Sequence, residues 1–383
     1  GSAISPMDSA LGAGYRPANI ANTAVRWESQ EQYNIGLDLG FFQDRLNLTV
    51  DVYQKTSKDM LMSMQLPSYM GTQGNGSSAL AAPKGNYGSI ENKGLEITLD
   101  VHPFVGEFQW DSNLQISFNR NKLLSLSGTE NANLVGYGQW SDVVCVSEVG
   151  KSLYNFYGYE VVGVYESLED IMNSPKAEKY PADGVFNRSN TVWVGDLKFK
   201  DQLTEDTDGD GIPDSGDGVI DANDQTDLGS PLPKFTFGWN NTFRYKNFDL
   251  NVFFRGALGF EIFNMQKYGM GMIGAGSDNV LRSAYLDKTN AYASGGVISS
   301  YYLEKGDWFK LESLTLGYNF TPANTDILKK MRVYLSAKNL FTLTGYSGND
   351  PSILASNGLT PSIDNSGAYP LAAQVTLGLT MNF

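Results

Sequence analysis

The amino-acid sequence predicts an all-β protein whose antiparallel strands cross a membrane as a β-barrel wall. Three observations predict it. Apolar and polar residues alternate with period two through about nine segments, the signature of strands with one greasy and one hydrophilic face. The connections between those segments alternate short and long. Aromatic residues gather at the segment ends, where barrels place girdles at the membrane interfaces.

The segments follow one another along the chain. QYNIGLDLGF sets Tyr33, Ile35, Leu37, Leu39 and Phe41 against Asn34, Gly36, Asp38 and Gly40. LNLTVDV opposes Leu46, Leu48, Val50 and Val52 to Asn47, Thr49 and Asp51. GLEITLDV carries Leu95, Ile97, Leu99 and Val101 on its apolar row. FQWDSNLQISF carries Phe108, Trp110, Leu114, Ile116 and Phe118. KFTFGWNNTFRY carries Phe235, Phe237, Trp239, Phe243 and Tyr245. FDLNVFF, SLTLGYNF and MRVYLSAKNL continue the series. QVTLGLTMNF closes it with Val375, Leu377, Leu379, Met381 and Phe383.

A soluble sandwich also alternates, with its apolar rows laid on a second layer. Three features favour the barrel. The segments approach the ~9–11 residues of a tilted spanning strand, above the usual ~5–6. Their polar rows hold Asp38, Asp51, Glu96, Asp100, Arg244 and Arg255 in mid-strand, as a wet lumen tolerates. The aromatic ends are Trp27, Phe41, Phe42, Phe104, Phe108, Tyr245, Phe248, Phe320 and Phe383. Arg26, Lys55 and Lys310 read as interfacial. The connections at 43–45, 102–107, 246–247 and 321–330 are short, and those at 56–86, 120–232, 257–306 and 344–367 are long. Outer-membrane barrels have short periplasmic turns and longer outer loops. That places the long loops outside the cell and the C-terminus in the periplasm. Phe383 then sits at the periplasmic interface, and the last strand must close the barrel against the first, because an open edge in hydrocarbon leaves backbone polar groups unsatisfied.

Composition agrees. Only 18% of the 383 residues are charged, below the ~25% of ordinary soluble domains. Hydrophobic residues reach 41%, yet no run reaches the ~18 apolar residues of a membrane helix. The net charge of −14 argues against nucleic acid. The single cysteine, Cys145, permits neither an internal disulfide nor a cysteine metal cluster. His102 is the one histidine, in a stretch, VHPFVGE, that reads as a turn. The start, GSAISPMDSALG, has neither the basic nor the apolar region of a signal peptide.

Several stretches, in this order, resemble the barrel of SusC/RagA-family TonB-dependent transporters: NIANTAVRWESQEQYNIGLDLGFFQDRLNLTVDVYQKTSKDML, GSIENKGLEITLD, VGDLKFKD, DGVIDANDQTDLGSPLPKFTFGWNNTFRYKNFDLNVFFRGALG, EKGDWFKLESLTLGYNF and VYLSAKNLFTLTGYSGNDP. The resemblance spans roughly residues 17–383. It implies that residues 1–383 are the C-terminal portion of a 22-stranded transmembrane barrel with long extracellular loops. It implies import of glycans or peptides with a SusD-like lipoprotein lid, and coupling to TonB through an N-terminal plug and TonB box not found in this chain. The rival from another class is a secreted or surface β-domain with a calcium-stabilised loop, acting as an adhesion module.

Within the longest connection lies DTDGDGIPDSGDGVIDANDQ. Asp206, Asp208 and Asp210 occupy positions 1, 3 and 5 of a calcium loop. Gly211 takes the turn, the Ile212 carbonyl position 7, Asp214 position 9, and Asp217 position 12 where an EF-hand has Glu. A second, overlapping pattern uses Asp217, Asp221 and Asp224. Carboxylates at this density bind a divalent cation, most naturally Ca2+, or stand as a solvated acidic turn. A bound ion would stiffen the loop. No other cofactor is indicated, and no Ser-His-Asp set, HExxH, Walker or dinucleotide motif marks an enzyme. The aromatics of VGYGQW and LYNFYGYEVVGVY, namely Tyr137, Trp140, Tyr154, Phe156, Tyr157 and Tyr159, either contact ligand or lid or pack the loop itself. The Met- and Gly-rich GMIGAGSDN and MLMSMQLPSYMG suit adaptable surfaces.

Overall fold

Nine strands form one antiparallel meander, each paired with its sequence neighbours. They are β1 (Ser29–Phe41), β2 (Leu46–Ser63), β3 (Lys84–Val105), β4 (Phe108–Ser125), β5 (Phe235–Tyr245), β6 (Phe248–Leu258), β7 (Trp308–Phe320), β8 (Lys330–Thr344) and β9 (Gln374–Asn382). The computed structural model describes residues 2–4, 13–15, 21–63, 83–126, 133–140, 142–274, 279–321, 329–352, 360–365, 369 and 371–382. Phe383, most of MLMSMQLPSYMG and the middle of GMIGAGSDN lie outside them.

The registers keep every apolar row on one face. Leu48 pairs with Leu39 and Leu99, Leu99 with Leu114, Leu114 with Trp239, and Trp239 with Phe254. Leu316 then links Leu250 to Leu335, and Leu335 pairs with Leu377. Period two makes this all-or-none, since a one-residue slip would invert a whole strand. Nothing among the described residues covers this face: Val52, Leu316 and Leu335 are 53%, 47% and 48% exposed in the middle of the sheet. Among the described residues, the buried apolar side chains belong to the long connections or to the strand ends nearest them, such as Leu123, Ala257 and Trp308. Among the described residues the sheet has no core beneath it.

The short turns and the long connections lie at opposite ends of the sheet. Turn residues Phe42, Gln43, Asp44 and Lys246 take left-handed backbone conformations to reverse the chain tightly. Strands β2, β3 and β4 are longer than the apolar patterning suggested, at 18, 22 and 18 residues. Pairing continues past the apolar belt through polar residues such as Lys55↔Asn92 and Lys93↔Arg120. His102 corrects the turn reading: it lies within β3, at a bulge between Val101 and Phe104, and its Nδ1 is 2.7 Å from Asp111. No ladder joins β9 to β1 among the described residues, so the sheet has two open edges.

Two polar residues break the apolar row, and each is satisfied. Ser112 and Asn241 are register partners. The Trp239 indole donates to Ser112 Oγ at 2.9 Å, and the Trp110 indole donates to Asn241 Oδ1 at 3.0 Å. An unpaired polar group on a face without water would cost several kcal/mol.

The opposite face is a hydrogen-bonded polar lining. Thr49 donates to Asp38 at 2.6 Å, Asn113 to Asp100 at 2.6 Å, Asn251 to Asn240 at 2.8 Å, and Arg255 to Glu312 at 2.7 Å. Arg332 Nε donates to Asp249 at 3.1 Å, and Arg244 pairs with Asp111. Two glycines let tyrosines lie flat here. A Cβ on Gly94 would come within 2.2 Å of the Tyr53 ring, and one on Gly378 within 2.2 Å of the Tyr334 ring.

Candidate functional site

The long connections build a cap with its own interior. Asn133–Tyr137, Val143–Glu148, Asn155–Tyr159 and Gln225–Gly229 form a four-stranded sheet. Val144, Phe156, Phe263, Met265, Met272 and Tyr302 are completely buried where this sheet meets the connection between β6 and β7. Burial of Cys145 in that core pushes its thiol up to about 12, so it is a packing residue and not a nucleophile. Asp196 ties the cap together: Oδ1 accepts from the Ala293 and Ser294 amides and the Ser294 hydroxyl, and Oδ2 from the Trp193 amide. Sequence reasoning missed this carboxylate, because all but one of its donors come from the connection between β6 and β7.

The six singled-out aromatics divide. Phe156 is completely buried against Phe263, which rules it out as a ligand or lid contact. Tyr154 is half-buried beside Leu123 and Leu153, and Tyr159 packs on Phe199 with ring centroids 5.1 Å apart. Tyr137 and Trp140 are 55% and 48% exposed, with Trp140 stacked on Tyr268 at 5.7 Å. Tyr157 is partly exposed. The surface candidates are therefore Tyr137, Trp140 and Tyr157.

The acidic loop divides as well. Ligand oxygens of Asp206, Asp208 and Asp210 lie within 4.8 Å of one another, all exposed. Asp206 accepts from the Gly209 and Gly211 amides, both at 2.7 Å, and the Gly211 contact leads in holding its carboxyl below the usual range. Asp208 accepts from the Asp210 amide, and Asp210 from the Ile212 amide. Asp214 turns back to the Thr207 hydroxyl and amide, which lower its pKa. Asp217 accepts from Val219 N, and Asp221 caps the short turn of helix at Ala222–Asp224. Asp224 is buried, accepting from the Gln202 and Asp221 amides. Three of the seven candidate carboxylates thus converge, and the other four serve the loop's own geometry.

Lys310, read as interfacial, is 1% exposed. It points to the polar side of β7, and its Nζ lies 3.2 Å from Asp350 and 3.3 Å from Ser352 Oγ. The connection between β8 and β9 is fastened to the wall at this point. Tyr346 donates to Asp364 at 2.6 Å, and Ser347 donates to Glu304 at 2.8 Å.

A bare apolar face, a polar lining and a cap at one end are the geometry of a barrel wall in a membrane, and the family comparison agrees. Residues 3–340 match the model of the TonB dependent receptor-like β-barrel. The chain belongs to this family of outer-membrane β-barrels. It is 30% identical over 389 residues to TonB-dependent receptor P3 of Formosa agariphila, covering 95% of this chain and 35% of that protein. It is 26% identical over 371 residues to the TonB-dependent receptor SusC of Bacteroides thetaiotaomicron, covering 94% and 32%. The fold matches a chain of the RagAB peptide transporter with a TM-score of 0.73 at 21% identity, over 97% of this chain and 37% of that one. The chain therefore spans about a third of the length of these relatives, and its nine strands are a SusC/RagA-like sector of such a wall. The uncovered apolar rows are its lipid face. No helix among the described residues is long and apolar enough to cross a membrane.

Proposed function

We propose that this chain supplies wall, lumen lining and outer cap to a transporter that imports oligosaccharide or peptide across the outer membrane. It works with a SusD-like lipoprotein lid. The turns face the periplasm and the cap faces outward, as short and long connections do in such barrels. Coupling to TonB is assigned to parts of the transporter other than these 383 residues, and so is closure of the two open edges. Tyr137, Trp140 and Tyr157 are offered to ligand or lid. No residue is given a catalytic role, and nucleic acid is not a partner.

The observation that carries this reading is the uncovered apolar face opposite a hydrogen-bonded polar lining. Burying one large apolar side chain is worth about 1.5–3 kcal/mol, so a sheet with this many bare ones is unstable in water. A secreted adhesion domain would need a second layer over those rows. The test is uptake by cells carrying the full-length protein, with and without TonB. Import of oligosaccharide or peptide that stops without TonB is the expected result, with heat-modifiable migration of the protein in detergent. A protein that is soluble and monomeric without detergent, or uptake indifferent to TonB, would overturn the reading.

The acidic loop adds a smaller proposal. Asp206, Asp208 and Asp210, with the Ile212 carbonyl, hold one Ca2+ and stiffen the cap. Calorimetry of the full-length protein with Ca2+ should show heat above an EGTA control, and Asp206→Asn should remove it.

A further inference from the structure

The charge of this chain is concentrated in one connection. Residues 126–234 contain 20 Asp and Glu against 7 Lys and Arg, a net −13 within a chain of −14. Several of the seven cations are already engaged. Lys151 pairs with Glu148, Lys198 with Asp170, and Lys200 with Glu160, while Arg188 lies over the Tyr292 ring. The cap therefore presents a negative field to arriving solutes, and the wall does not.

A cavity of about 450 Å3 opens between this connection and the one joining β6 to β7, in the size range of small-ligand sites. Its depths are apolar: Val192, Leu197, Phe199 and Ile220 are each more than nine-tenths buried. Two polar groups in its depths, Asp196 and Ser294, are spent internally, and the partly buried Tyr159 adds one hydroxyl to the lining. Asp196 uses both oxygens as described, and Ser294 Oγ donates to Asp196 and accepts from the Leu197 amide. A sugar pushed into these depths would lose water from several hydroxyls and find only the Tyr159 hydroxyl to replace it. The rim is exposed and carries Glu178, Lys179 and Asp221. Lys179 reaches the Tyr292 carbonyl at 3.4 Å, and Asp221 caps Asn223. Glu178 has no hydrogen-bond or ion-pair partner among the described residues.

We propose that this cavity takes the apolar side chain of a short peptide, with an adjoining positive charge of the peptide held at the carboxylate rim. This rests on the transport reading and narrows its substrate class to cationic, partly apolar peptides. Anionic saccharides are disfavoured by the field, and neutral ones by the lining. The surrounding carboxylates raise the local concentration of cations, and the apolar depth retains the ligand that fits.

The experiment uses the full-length transporter in detergent micelles and two fluorescent forms of one peptide, Lys-Leu-Ile-Ala-Gly-Ser amide. One form keeps its amines and the other is fully succinylated. Anisotropy titration should show the amine form binding about tenfold tighter or better, with the gap closing as salt rises. Ala177→Trp, which fills the cavity, should abolish binding while heat-modifiable migration persists. Glu178→Lys, on the exposed rim, should weaken binding about tenfold without touching the fold. Equal affinity for the two peptides would overturn the proposal, and so would unchanged binding by a folded Ala177→Trp variant. Failure here is separable from failure of the transport reading. A protein that imports oligosaccharide in a TonB-dependent way yet binds neither peptide keeps the first and loses the second.

Discussion

The wall and the cap use the same side chains in opposite senses. In the wall, Val52, Leu316 and Leu335 stand about half exposed on a face that no described residue covers. In the cap, Phe156, Phe263 and Tyr302 are completely buried and pack on one another or on shared neighbours. The polar groups reverse too. The wall keeps its Asp, Asn and Arg residues on the face opposite its apolar rows, and the cap turns many of its carboxylates outward while burying a few with their donors, such as Asp196 and Asp224. One chain is therefore fitted to two solvents. The cap folds as a water-soluble domain does, and the wall is stable only where hydrocarbon replaces water on its apolar face.

Substitutions can break this contrast in either half. The largest effect is expected for Phe156→Ala, which opens a cavity in the cap core and costs about 3–5 kcal/mol. Limited proteolysis should then cut the cap, while the wall keeps its heat-modifiable migration. Next comes Lys310→Met, which leaves Asp350 buried without its partner, at a cost of about 3–5 kcal/mol where the site cannot rehydrate. Chemical denaturation should show the loss, and the double variant Lys310→Met with Asp350→Leu should recover most of it. Ile97→Arg places a charge on the lipid face, for about 2–4 kcal/mol near the bilayer midplane. It should lower the urea midpoint of the wall and leave cap proteolysis unchanged. The smallest effect belongs to the cap surface. Asp170 pairs with Lys198 at 2.8 Å, and that contact, with the Glu166 amide, lowers its pKa. A group with a lowered folded pKa contributes above its unfolded value near ~4 and loses that contribution on acidification. Asp170→Asn should therefore cost less than about 1 kcal/mol at neutral pH and nothing in acid, by denaturation at the two pH values.

The wall could be read from the sequence because its constraint is local. Each residue must suit one of two environments, and the strand period assigns it to one side without knowledge of its partner. That is why Tyr33 through Phe41 and Val375 through Met381 were recognisable alone. Features that depend on distant pairing were not. Ser112 and Asn241 look like flaws until the register sets each beside the indole that satisfies it. His102 resembles a turn residue because Pro103 and Gly106 follow, but a bulge absorbs the irregularity and Asp111 holds the ring in the strand. Lys310 resembles an interfacial cation because Asp350 lies in the next long connection. The cap was least readable. Its strands run only two to six residues, too short for a period to register, and Asp196 gathers all but one of its donors from far along the chain. The acidic spacing did locate Asp206, Asp208 and Asp210 together, because an i, i+2, i+4 pattern on a tight loop is itself local.

The claim that one face of this sheet meets lipid and the other water can be measured directly. Spin labels placed singly at Leu95, Glu96, Ile97, Thr98, Leu99 and Asp100 of the full-length protein in liposomes report collisions with oxygen and with a water-soluble nickel complex. The account predicts oxygen maxima at positions 95, 97 and 99 and nickel maxima at 96, 98 and 100. A profile without that alternation, or with nickel reaching the odd positions, would contradict it.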